Sequence, residues 1–196
     1  MSRQGMYDDT YNKAVTQGWM FIPLVDYHAG GSAAAFEPLS QNYVDFAFAV
    51  KQYFLLGILP CWRGYEIFDS NATQALVTKY VSIYKTHRDI ITSDLIHIRR
   101  ADLLGWDAMM HVNPNLPNGS VKGFLVVFNP TEQVFPKGGG TEYIKVPMYY
   151  SGLHQKVTVT REGDASTSVT YDVSREYTID VPIVVDAFDI TWYLLQ

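Results

Sequence analysis

One cysteine, Cys61, stands in 196 residues, which excludes an internal disulfide framework and every zinc site built from several thiolates. Clustered positive charge is equally scarce. Arg99 and Arg100 are the one adjacent pair of cations, and 15 Lys and Arg against 20 Asp and Glu leave a formal net charge of -5. A nucleic acid or an anionic membrane surface needs a basic face, so neither is expected as a partner. No apolar run reaches membrane-spanning length, and residues 1 to 10 hold neither an apolar signal core nor a basic amphipathic presequence. Phosphate loops, serine elbows and Cys/His constellations are missing too. The triplet Gly138, Gly139 and Gly140 lacks the helix and lysine that would have to follow it. His87 and His97 lie ten residues apart without a third ligand on either helix face, and His111 and His154 fall among strand-like runs. No metal and no cofactor is therefore expected.

What the sequence does hold is aromatic rings, 14% of residues, in a chain that is 47% hydrophobic. Many adjoin charged or polar groups, as in Tyr7-Asp8-Asp9, Asp26-Tyr27-His28 and Trp62-Arg63-Gly64-Tyr65-Glu66. Such pairings suit sugars, whose C–H faces stack on rings while their hydroxyls bond to planar charged groups. Composition alone slightly favours an aromatic-rich core with no ligand.

The first hundred residues alternate strand and helix signals. Residues 7 to 17 read as a short helix stopped by Gly18. The continuous apolar run from 19 to 25 reads as a strand of a parallel sheet, buried on both faces. From 42 to 56, Phe46, Ala49, Val50, Tyr53 and Phe54 share a helical face and Gly57 ends it. A second strand over 58 to 62 precedes a helix with Asn71 as its expected N-cap and Gln74 three residues on. That helix carries Leu76, Val77, Tyr80, Val81 and Tyr84 on one side and is expected to stop near Ile91. This order is that of a (β/α) barrel or a doubly wound sheet. Two strands close neither, so the sequence predicts that residues outside it complete the sheet, in a longer product or on another polypeptide.

After about Ala101 the texture changes to short strand-like runs at 109–112, 123–128, 143–146, 156–160, 168–171, 177–181 and 190–195, separated by turn residues. Seven strands at hairpin spacing predict an antiparallel β-sandwich. The expected fold class is thus α/β followed by all-β, with domains at 1–100 and 101–196.

Ligands of parallel α/β folds lie beyond the carboxyl ends of the strands. That rule selects Asp26, Tyr27 and His28 after the first strand, and Trp62, Arg63, Tyr65, Glu66 and Asp69 after the second. Strand-end Arg and Glu also make buried salt bridges, so a bracing role stays open. Asp8 and Asp9 are adjacent and cannot serve each other as an acid/base pair, because glycoside hydrolysis needs carboxyls about 5 Å or more apart. One of them needs a distant partner, or else merely caps the helix that follows.

The stretch from Tyr84 through His87-Arg88-Asp89 and His97 to Arg99-Arg100 resembles the last barrel helix and exit segment of glycoside hydrolases of the α-galactosidase clan. Gly123-Phe124-Leu125-Val126-Val127-Phe128-Asn129-Pro130-Thr131 and Val146-Pro147-Met148-Tyr149-Tyr150-Ser151-Gly152-Leu153 are similar to the clan's C-terminal β domain. The resemblance implies the last two units of a (β/α)8 barrel plus that domain, a carbohydrate substrate, and two catalytic aspartates. Of these, the nucleophile follows the fourth barrel strand, outside this sequence, and the acid/base follows the sixth. Arg3 and Asp8 resemble the clan's Arg-to-Asp pair there. Four residues separate them where the clan usually has three, which leaves the role between Asp8 and Asp9. The loops holding Asp26, Tyr27 and His28, and Trp62, Arg63 and Glu66, would follow strands seven and eight and contact substrate. The resemblance implies an α-linked sugar for the parent enzyme and no activity for this chain alone. A non-catalytic carbohydrate-binding or structural module is the alternative.

Overall fold

The computed structural model describes residues 36–63, 66–102 and 104–196, together with the strand Trp19–Pro23; for that strand and for Leu59–Arg63 the description is of the backbone. The chain divides into two compact units, the first over Thr16–Arg88 and the second including Asp89–Gln196. Among the described residues no helix is long and apolar enough to cross a membrane.

In the first unit, β1 (Trp19–Pro23) and β2 (Leu59–Arg63) pair in parallel, Trp19 opposite Leu59 and Pro23 opposite Arg63. Helix α1 (Tyr43–Leu55) joins them, making a βαβ unit. Of the expected apolar face, Phe46, Ala49, Val50 and Phe54 are buried and Tyr53 is half-buried, while Leu55, outside that face, is fully buried as well. Its end is set by glycine chemistry. Gly57 has φ 73°, its N–H donates to the Phe54 carbonyl, and the Ile58 N–H reaches back to the Tyr53 carbonyl. This is the double bond of a Schellman motif, which satisfies carbonyls the helix leaves open and needs a residue tolerant of positive φ.

Helix α2 (Asn71–Ile91) follows, with Leu76, Val77 and Tyr80 buried and Tyr84 against Phe54, ring centroids 5.9 Å apart. Its cap is not Asn71. Ser70 Oγ accepts the Thr73 N–H at 3.2 Å, the Ser70 carbonyl accepts the Gln74 N–H, and Thr73 Oγ1 in turn accepts the Ser70 N–H at 3.0 Å. The reciprocal box thus sits one residue early, with a buried threonine in place of the expected Gln74. Near the other end of the helix His87 leaves helical geometry, at φ -111° and ψ 16°.

The second unit is antiparallel. Its main sheet has the order β3-β4-β5-β10-β7-β8, where β3 is Asp94–Arg99, β4 Asp107–Val112, β5 Gly123–Asn129, β7 Lys156–Arg161, β8 Val169–Asp172 and β10 Asp189–Leu195. A separate ribbon pairs β6 (Glu142–Pro147) with β9 (Thr178–Ile183). All seven strands expected from the sequence are present. The eighth, β3, was expected to be an exit segment after the helix. It has no Gly or Pro turn before it, and its apolar residues Leu95, Ile96 and Ile98 do not alternate cleanly, so it carries no hairpin signature.

Strand register sorts the side chains into faces. Met110 lies opposite Leu125, and Leu125 opposite Tyr193, so one face of the main sheet carries Ala108, Met110, Leu125, Val127, Val157, Val159, Tyr193 and Leu195. These residues form one buried cluster with Ile144 and Val146 of β6 and Ile179, Val181 and Ile183 of β9. The layering is therefore sheet on sheet, but unequal, six strands against a two-strand ribbon. Met109, His111, Phe124, Val126, Phe128 and Trp192, on the opposite face, are buried as well. Burial on both sides explains why β4 and β5 read as nearly unbroken apolar runs.

Candidate functional site at the strand ends

Parallel pairing brings the carboxyl ends of β1 and β2 level, Ile22 opposite Trp62 and Pro23 opposite Arg63. Trp62 and Arg63 thus occupy the last two backbone positions of β2, where the sequence rule puts ligand contacts. Arg3, Asp8, Asp9, Asp26, Tyr27 and His28, and also Tyr65, lie outside the described residues. Glu66 does not. It is exposed and, with Glu37, Pro38, Leu39 and Asp69, lines a cleft of about 410 Å3 just beyond β2.

Asp69 holds this corner together. One carboxylate oxygen accepts the Ser40 N–H at 2.9 Å and the Ser40 hydroxyl at 3.1 Å, and the other accepts the Thr73 hydroxyl at 3.1 Å. The loop ahead of α1 is thereby tied to the loop ahead of α2, across 29 residues of sequence. These donors, the Ser40 backbone N–H foremost, hold the Asp69 carboxyl below the usual carboxylate range. Three of its roughly four acceptor sites are taken by these donors, so the contacts seen at this residue are bracing ones. A depressed folded value means that Asp69 contributes stability above its unfolded pKa and that the contribution is lost as pH falls through the folded value. Thermal melts of the wild-type chain should therefore drop on acidification over that range, and Asp69→Asn should remove part of the drop.

Glu37 and Glu66 remain as the acceptors in the cleft. With Asp69 they make a wall of three carboxyl side chains and no base among the described lining residues, which repels anions and accepts hydrogen bonds from hydroxyl groups. Glu37 was not expected from the sequence. It is separated from Glu66 by the whole of α1 and β2 and belongs to no strand-end segment, so only the fold brings it into the cleft.

A second cleft of about 450 Å3 lies in the β unit, lined by Arg99, Leu104, Gly105, Lys137, Thr141 and Glu142 among others. Its polar groups are largely occupied with one another. Arg99 stacks over Trp106, 4.6 Å from the ring centroid, and reaches Asp102 at 3.5 Å, while Trp106 Nε1 donates to Glu142 Oε1. Among the described residues no group of three or more His, Cys, Asp or Glu side chains is placed to hold a metal ion.

Comparison of the whole chain with solved structures draws these observations together. The galactosidase domain of the α-galactosidase-sucrose kinase AgaSK superposes with a TM-score of 0.59 over 97% of this chain, at 13% identity. The fold is shared with α-galactosidase-type glycoside hydrolases. A GH36 α-galactosidase of Geobacillus stearothermophilus, in complex with raffinose, matches 100% of the chain with a TM-score of 0.59 at 11% identity. A GH27 β-L-arabinopyranosidase of the same organism matches 99% with a TM-score of 0.55 at 10% identity. This chain spans 23%, 24% and 42% of those three chains, respectively. No family model matches the sequence, and no match is found among curated proteins.

Proposed function

We propose that this chain supplies the last two units of a (β/α)8 barrel and the C-terminal β-sandwich domain of an α-galactosidase-like glycoside hydrolase, with residues 1–100 in the barrel and 101–196 in the β domain. The observation that carries the proposal is the likeness of fold over 97% to 100% of the chain, which takes in the parallel β1-α1-β2 unit as well as the antiparallel one. The acidic cleft beyond β2 supports it, because carboxylates without competing cations suit a neutral polyhydroxylated ligand.

In this reading the substrate is an α-linked sugar. Asp8 or Asp9 is the general acid that protonates the leaving oxygen, and it acts as general base when water releases the sugar from its covalent intermediate. The nucleophilic carboxylate, about 5 Å away in a retaining enzyme, comes from outside this chain. Arg3, Asp26, Tyr27, His28, Trp62, Arg63 and Glu66 line the substrate, so the 196-residue chain alone is inactive.

The test is hydrolysis of an aryl α-galactoside by the complete product of the gene. The chain alone should show none and the complete product should turn over. Asp8→Asn with Asp9→Asn should lower kcat by about 10²- to 10⁴-fold. A complete product that hydrolyses no aryl glycoside overturns the hydrolase reading, and full activity in the double variant overturns the acid/base assignment alone.

A further inference from the structure

The β unit carries an aromatic surface that the strand-end site does not use. Tyr149 and Tyr150 are 61% and 62% exposed, and Tyr177 is 42% exposed. They are neighbours although 26 residues lie between Tyr150 and Tyr177 in sequence. Tyr149 meets Tyr150 at 5.1 Å between centroids and 88° between planes, and meets Tyr177 at 5.6 Å and 85°. His154 extends the row, 5.7 Å from Tyr177 at 85°. The rings stand at one end of the β6-β9 ribbon, just beyond the pair Pro147 and Thr178.

Their backbone is fixed by more than the packing of exposed rings requires. Tyr177 sits at φ 56°, a region costly for an aromatic residue and found where surrounding structure dictates it. Its N–H donates to the Ser174 carbonyl, and the Ser174 hydroxyl accepts the Thr178 N–H at 3.1 Å. Across the gap, the Met148 N–H donates to the Tyr177 carbonyl at 2.7 Å, joining the two ring-bearing turns directly. The other turn is closed by buried Ser151, whose hydroxyl donates to the Met148 carbonyl at 2.7 Å and accepts the Leu153 N–H. Gly152 completes it at φ 74°, a conformation that L side chains rarely adopt.

From this we infer that Tyr149, Tyr150 and Tyr177 form a pre-ordered platform for a neutral saccharide. Three facts select that ligand class. Size is the first: three partly exposed rings make a patch of a few hundred Å2, well short of the roughly 800 Å2 per partner of a stable protein interface, and matched to one or two sugar rings. Ring contact is the second. Centroids 5.1 to 5.6 Å apart with perpendicular planes are rings touching edge to face, so the three present one continuous surface of ring faces, edges and hydroxyls with no slot between them. Chemistry is the third, because each tyrosine offers a flat face for C–H groups and a hydroxyl that both donates and accepts. The platform lies wholly in the β unit and stands without the hydrolase reading.

Electrophoresis of the 196-residue chain through native gels containing soluble galactomannan, xylan or starch tests it. Migration should be retarded in at least one gel, and Tyr149→Ala and Tyr150→Ala should each weaken the retardation about tenfold. Because these side chains are exposed, thermal melts of both variants should stay at the wild-type value, and Tyr149→Phe should keep most of the binding. Equal mobility of wild type in gels with and without all three polysaccharides would overturn the proposal. So would retardation untouched by both alanine variants, or a dimer in light scattering that Tyr149→Ala dissociates. Failure of the hydrolase reading leaves these outcomes unchanged, since none of them depends on turnover.

Discussion

Asn129→Asp is expected to destabilise the β unit by about 3–5 kcal/mol at neutral pH, although it exchanges one NH2 for one oxygen. Asn129 is fully buried at the end of β5. Its Nδ2 donates to the Gln133 carbonyl at 2.6 Å and to the Asp186 carbonyl at 2.7 Å, and its Oδ1 accepts the Thr131 N–H at 3.1 Å and hydroxyl at 2.8 Å. The side chain thus joins the loop leaving β5 to the segment that leads into β10. A carboxylate would keep the Thr131 bonds and turn a negative oxygen onto two carbonyl oxygens. Burial and those carbonyls would raise its folded pKa above the unfolded value of about 3.9. For a raised acid the penalty is absent below the unfolded pKa and grows until pH passes the folded one. Urea titrations should therefore show the gap between variant and wild type narrowing as pH falls toward 4. A gap of equal size at pH 4 and pH 8 would mean that the two carbonyls do not face this side chain.

Val127→Asp should go further and prevent folding of the β unit. Val127 is fully buried on the face of the main sheet that shares its apolar cluster with the β6-β9 ribbon. Its direct cross-strand neighbours are Ala108 on one side and Thr191 on the other. An unpaired carboxylate in that layer costs several kcal/mol, comparable with the 5–15 kcal/mol that holds a whole domain together. Loss of the near-UV circular dichroism signal and of soluble yield are the readouts. Val169→Asp, on edge strand β8 where the side chain is 50% exposed, should change stability by less than about 0.5 kcal/mol. If both substitutions are tolerated alike, the shared core is wrong.

Strands bounded by turn residues were readable from the sequence alone. Five of the seven runs after residue 101 are followed directly by Asn, Pro or Asp, and all seven are strands in the structure. The strand β3 was not readable, because Asp94–Arg99 follows α2 after only Thr92 and Ser93, without a turn signature, and its pairing with β4 is fixed by partners rather than by its own pattern. The cap of α2 was missed for a related reason. A capping box was recognisable in type, but Asn71 and Ser70 are both good caps, and the choice is made by Thr73, whose buried hydroxyl also meets Asp69. In the acidic cleft, Glu66 follows a strand and was visible for that reason, while Glu37 enters only through the tertiary fold. The same holds for the tyrosine patch, where the adjacency of Tyr149 and Tyr150 is plain but the arrival of Tyr177 depends on β6 pairing with β9.

The 2.7 Å bond from Met148 to Tyr177 also limits how this surface can diverge. Lengthening either turn by one residue would pull donor and acceptor apart and swing one ring away from the others. Related chains should therefore vary the chemistry of the patch by exchanging side chains at positions 149, 150 and 177, and should keep the number of residues in both turns constant.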